Sequence, residues 1–423
     1  MTTEVAILNR QAVAIASDSA STAIDEYGRP IYSTAHKIFP LSQTEPVAIM
    51  IYGSAAFMGI PWETIIKIFR DRLGNTVYAN LQEYGQSFLE FIRREKSFSP
   101  KEIQDRYVED NLFAYMDALR SYVHQSIDYH FTFEEELDTQ QLKELVADMI
   151  DKELDRWKAG TTSIQEVEVF TRRFRTEYTS LITSVIREVF EDLPINDQAQ
   201  LSLEKLSAAL FTFFPKTSEV LPYSGIVITG FGESDIFPSL VSYKVQGTAM
   251  DELKYQIEPH RAIGHDNSAM IIPFAQGEVM RTFIDGISPM MENFYEDFIE
   301  EIFRRYPGFI LDELVEEMDS EERQQYEDRI REIGVENFQN SYNQIRQFQY
   351  EINVKPILTI VSILAKGELA EMADSLVNLT CLRKKFSNED ETVGGPVDVA
   401  VISKGDGLVW IRRKSYINND NIL

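Results

Sequence analysis

The sequence predicts an α+β chain, a four-layer αββα sandwich with two large helical insertions. Three observations lead there. Short runs rich in β-branched residues occur at the start, in the middle and at the end of the 423 residues. Each of the first two runs gives way to apolar residues at helical spacing. Long, charged helical stretches fill about 97–215 and 290–349. They divide a core made of 1–96, 216–289 and 350–423.

The elements follow in order. Thr3–Leu8 and Ala12–Ser17 are separated by Asn9-Arg10-Gln11 and read as a hairpin. Lys37–Leu41 and Val47–Tyr52 read as a second pair of strands. Gly53-Ser54-Ala55-Ala56 leads to a helix over Phe57–Leu73, with Ile60, Ile65, Ile68 and Phe69 on one spacing. Another helix is predicted over Leu81–Arg94. In the first insertion Phe113, Tyr115, Leu119 and Val123, then Leu142, Leu145, Val146 and Ile150, keep helical steps. Strands return at Tyr223–Gly232, Leu240–Val245, Leu253–Glu258 and Ala269–Phe274, and Gly277 opens a helix. After the acidic second insertion come helices over Lys355–Leu364 and Glu368–Arg383. A closing hairpin, Pro396–Ser403 and Leu408–Arg412, turns on Lys404-Gly405-Asp406-Gly407.

Composition excludes several classes. Hydrophobic residues make up 44% and charged residues 26%, ordinary globular usage. Lys and Arg number 41 against 68 Asp and Glu, a net charge of −27. Such a surface repels phosphate backbones and anionic lipid, so neither nucleic acid nor membrane is an expected partner. No apolar run approaches the ~20 residues of a membrane span. The N-terminus lacks the basic and apolar segments of a secretory signal, and the single cysteine, Cys381, has no internal disulfide partner. The expected location is the cytoplasm. The five histidines are scattered, with no HExxH or paired cysteines, so no metal is expected. No P-loop or GxSxG stretch occurs, and no cofactor is expected.

Four positions carry the chemistry. Thr2 follows Met1, and methionine removal before a small residue exposes a threonine bearing both a hydroxyl and an α-amine. That amine has a pKa of about 8 and is a usable base at neutral pH. The hairpin brings Asp18 back beside Thr2. Lys37 opens the next strand, where a lysine held by a carboxylate lowers a nearby hydroxyl's pKa. Gly53 lets a backbone N–H approach a substrate carbonyl, and a helix N-terminus behind it favours developing negative charge. Taken singly, each has an ordinary reading: a common Met-Thr start, a strand-end carboxylate, an edge lysine, a tight turn. Their order as a set is what points to an N-terminal nucleophile.

With these residues in place, the sequence resembles the proteasome β-subunit family, the N-terminal-threonine branch of the Ntn hydrolases, and its bacterial two-component relative. The likeness lies in TTEVAI at the start, VAIASDSAST over Val13–Thr22, HKIF over His36–Phe39 and GSAA over Gly53–Ala56. It resumes with Asp390-Glu391-Thr392-Val393-Gly394-Gly395 and PVDVAVISKGDGLV. The resemblance implies Thr2 as nucleophile and amine base, Asp18 orienting Lys37, Lys37 lowering the threonine pKa, and Gly53 as oxyanion donor. It implies Thr22 as a position whose backbone pairs with a bound peptide, and Asp390 as support for the amine. Two helper serines of the family are replaced, one by Val393 and one, on the alignment that fits best, by Glu278. Phe57 stands where many members carry an acidic residue, which implies a different pocket wall.

The implied activity is a threonine-type endopeptidase. Hydrolysis of a small amide and a non-catalytic scaffold are the alternatives; the scaffold would predict loss of Thr2, Asp18 or Lys37, and all are present. The resemblance also implies a ring-like homo-oligomer acting on peptide or protein, with an unfoldase or regulator as a further partner.

Overall fold

In the computed structural model, which describes residues 2–24, 30–133, 138–216, 221–314, 319–387 and 394–414, the first hairpin forms between Thr3–Asn9 and Val13–Ser17. Asn9 makes its turn. The Asn9 carboxamide oxygen accepts the N–H groups of Gln11 at 2.9 Å and Ala12 at 3.2 Å. Its Nδ2 donates to the carbonyls of Val361 at 3.0 Å and Leu364 at 2.9 Å, so the same side chain satisfies the end of a helix.

The chain is a mixture of helices and antiparallel sheets and divides into two compact units, Met1–Ala35 with Ala262–Leu423, and His36–Arg261. In the first unit the sheet runs in the spatial order Ala269–Ala275, Thr3–Asn9, Val13–Ser17, Asp398–Ser403, Gly407–Arg412. Helix Lys366–Lys385 covers one face. Leu369, Ala373, Leu376 and Val377 recur at three- and four-residue steps and meet Val5, Ile7, Ala14, Ala16, Val399 and Val401. Small alanines on the strands let the helix approach closely. Ala6, Leu8, Val13 and Ile15 point the other way and are fully buried too. Helices Pro289–Leu314 and Ser320–Gln349 pair within the second predicted insertion, tied by Tyr342 donating to Glu296 at 3.1 Å and Arg346 to Glu292 at 3.1 Å.

In the second unit the sheet order is Glu252–Ile257, Ser239–Ala249, Ser224–Gly230, Val47–Gly53, Ile38–Pro40. Helices Trp62–Leu73 and Leu81–Arg94 pack Ile65, Ile66, Phe69 and Phe88 onto Ile49, Ile51, Ile226, Ile228 and Val241. The first of these helices begins at Trp62, later than the Phe57 its spacing predicts. Met58 (φ 49°) and Gly59 (φ 83°) turn a short hairpin, Ala56–Phe57 with Ile60–Pro61, before proline leads into the helix. A separate core joins helices Lys101–Phe133, Thr139–Lys158, Val167–Glu177, Thr179–Val189 and Asp197–Ala209 around Leu112, Met116, Ile150, Trp157, Phe174 and Phe211. No described helix is long and apolar enough to cross a membrane.

Candidate functional site

The start of the first strand is tied to two other segments of the first unit. Thr2 is 6% exposed, and its carbonyl accepts the Gln276 N–H at 3.2 Å. The Thr3 N–H donates to Asp18 Oδ1 at 3.0 Å, and the Asp18 N–H returns to the Thr3 carbonyl at 3.1 Å. Asp18 Oδ2 accepts the Gly394 N–H at 3.0 Å, while the Gly394 carbonyl accepts the Ala20 N–H at 3.0 Å. A carboxylate buried to 1% exposure thus fastens the late loop to the residue after Thr2. Gly395, at φ +78°, passes so close that an added Cβ would lie 2.8 Å from Ser19 Oγ.

Glu4 was not singled out in the sequence. It shares a strand face with Thr2, two residues on, and is fully buried. The Thr2 hydroxyl donates to Glu4 Oε2 at 3.2 Å. Ser17, opposite Glu4 in the sheet register, places its hydroxyl 3.3 Å from Glu4 Oε1 and 2.9 Å from the Asp18 carbonyl, so one proton is shared between two acceptors. A glutamate directly before the apolar run Val5–Leu8, at even spacing from the threonine, is the signal that could have found it.

In the second unit Lys37 is 6% exposed, and its carbonyl accepts the Ile51 N–H at 2.9 Å, beside the strand that ends at Gly53. Gly53 adopts φ +78°, and a Cβ there would lie 2.4 Å from the Tyr223 carbonyl oxygen. The Ser54 N–H donates to that oxygen at 2.9 Å, which fixes the turn. The helix expected directly behind Gly53 starts only at Trp62. Phe57 is 1% exposed and packs against Trp62 at 5.5 Å between ring centres, within the core under the helices.

Thr22 lies in strand Ala20–Ile24, opposite Tyr32. Glu278 is exposed in the first turn of helix Glu278–Asp285; Gln276 is the residue that meets Thr2. Asp390, Thr392 and Val393 lie outside the described residues.

No family model and no curated protein matches the sequence. Solved structures do match. Anbu (ancestral beta-subunit) from Yersinia bercovieri is 8% identical, with 98% of this chain and 88% of that chain covered and a TM-score of 0.29. An Anbu (Gly-1) mutant from Hyphomicrobium sp. strain MC1 is 8% identical over 98% of this chain and 86% of that one, at a TM-score of 0.30. A helical assembly of the Anbu complex from Pseudomonas aeruginosa is 10% identical over 99% and 88%, at 0.30. Superpositions this loose carry no argument about activity or assembly. They do correct the family resemblance: these three solved chains are named Anbu, ancestral beta-subunit in the first, and no family model supports a place among proteasome β-subunits.

Proposed function

We propose that the chain is an amide hydrolase acting on peptides through the Thr2 hydroxyl, once Met1 has been removed. The observation that supports this reading is the buried cluster at the start of the first strand. A threonine hydroxyl is held against a carboxylate, and the next residue is pinned by Asp18. Thr2 Oγ attacks the peptide carbonyl, and the acyl group passes to it as an ester. Water then releases the acid. Lys37 and Gly53 enter the proposal with the roles the sequence assigns them, charge stabilisation of the threonine oxygen and donation to the oxyanion. Thr22, as a substrate-pairing position, and Asp390, as support for the amine, belong to the same proposal.

Intact mass of the expressed protein, followed by assay on fluorogenic peptides, tests it. The expected result is a mass without Met1 and peptide turnover that Thr2→Ala lowers by at least about 1,000-fold. A chain that keeps Met1, or a Thr2→Ala variant as active as the parent, sinks the reading. Turnover of small amides with none of peptides would change the substrate class alone.

We also propose that the chain self-associates. Support comes from the exposed apolar row along helix Pro289–Leu314, which includes Met290, Phe294, Phe298 and Phe309.

A further inference from the structure

A carboxylate with no exposed surface is stable in a strand interior only when polar hydrogens meet it. Glu4 is such a group, and one of the hydrogens that meet it is that of the Thr2 hydroxyl, at 3.2 Å. Strand geometry sets this contact. Residues two apart share a face, so Thr2 and Glu4 stand side by side, and the antiparallel register places Ser17 directly across. The Ser17 hydroxyl approaches the other carboxylate oxygen, Oε1, at 3.3 Å, while the Thr2 hydroxyl donates to Oε2. Of these two hydroxyls, the Thr2 hydroxyl stands at the start of the strand.

We infer that Glu4 is a catalytic residue, the proton acceptor for the Thr2 hydroxyl, an inference that rests on Thr2 being the nucleophile. As Thr2 Oγ bonds to the substrate carbonyl carbon, its proton moves to Glu4 Oε2 and the carbonyl electron pair moves onto oxygen. The pair returns, the C–N bond breaks, and the amide nitrogen leaves with the proton from Glu4. Thr2 now carries the acyl ester and Glu4 is a carboxylate again. Water then attacks the ester and gives its proton to Glu4. The C–Oγ bond breaks, and that proton restores the threonine hydroxyl. The sum is amide plus water giving acid plus amine. In this scheme the α-amine of the exposed threonine is left to bind and orient.

The experiment compares wild type with Glu4→Gln, which keeps size and removes the charge, using a peptide p-nitrophenyl ester and a non-hydrolysable peptide of the same sequence. Released nitrophenol and the mass adduct on Thr2 report acylation; competition by the second peptide reports binding. The expected result is acylation slowed by about 100-fold or more with binding unchanged, in the range that loss of a general base produces. Acylation of Glu4→Gln within about 3-fold of wild type overturns the inference while leaving Thr2 as nucleophile. Absence of any Thr2 adduct in wild type overturns the nucleophile and this role together. Should Glu4→Gln fail to fold, Glu4→Asp keeps the charge and draws the carboxylate back from the Thr2 hydroxyl by one methylene. It should slow acylation by about 10-fold or more, and an unchanged rate counts against Glu4.

Discussion

Lys254 is 2% exposed, and its ammonium donates to the Leu210 carbonyl at 2.7 Å with the Phe214 ring 4.7 Å and the Trp157 ring 5.1 Å away. The rings favour the charged form, but burial is the larger effect and pushes the pKa well below the ordinary 10.5. The unfolded chain then binds the proton more tightly than the folded one. Stability rises with pH between the lowered folded value and 10.5, and falls as pH drops through that window. Lys254→Met should remove this slope, so the difference in urea midpoint between variant and parent should shrink as pH is raised from 7 to about 10. A difference constant across that range would show that Lys254 does not titrate there. The candidate site was unevenly legible at this scale. The short hairpin has one simple register, and that register carries Asp18 to the backbone of Thr3, the residue after Thr2. Glu4 was not legible, because a carboxylate within TTEVAI reads as part of a motif until burial shows that it has no water to face.

Elements were legible where the pattern was local and missed where a turn intervened. The spacing of Leu369, Ala373, Leu376 and Val377 marks a helix without reference to its partners. The start of the helix at Trp62 depended instead on positive φ angles at Met58 and Gly59, which periodicity cannot register. Asn9 joins two elements through one side chain, closing the first hairpin and capping helix Lys355–Val361. Its substitution has a specific consequence. Asn9→Ala removes two donors from the Val361 and Leu364 carbonyls and the acceptor for the turn, and buried groups left unpaired cost about 1–3 kcal/mol each. Partial access of water to Leu364 reduces that sum, so chemical denaturation should show a loss of about 2–3 kcal/mol. Asn9→Asp keeps the turn acceptor but turns a buried carboxylate oxygen onto the two carbonyls, and should be at least as destabilising as Asn9→Ala. Equal stability of Asn9→Ala and the parent would show that neither end of the bridge matters.

At the scale of the whole chain, strand order alone hid the division into units. Ala269–Ala275 returns to pair with Thr3–Asn9 across most of the sequence, and no local pattern announces a partner that remote. Charge and exposed apolar surface, by contrast, are readable at this scale and act against each other in association. Helix Pro289–Leu314 exposes Met290 (73%), Phe294 (56%), Phe298 (53%) and Phe309 (63%), and the Phe294 and Phe298 rings stack at 5.8 Å. Monomeric proteins rarely leave so long an apolar row in water. The net charge of −27 repels one copy from another at long range, and at 0.1 M salt that repulsion decays over about 10 Å. Salt should therefore strengthen self-association, the opposite of its effect on a contact built from ion pairs. In sedimentation at micromolar concentration, species heavier than 48.7 kDa should grow between about 50 mM and 500 mM salt. Phe298→Glu should suppress them with little change in melting temperature, because the side chain it replaces is already more than half exposed. A single 48.7 kDa species at both salts would sink the self-association proposal. Heavier species that Phe298→Glu leaves untouched would move the contact to another face.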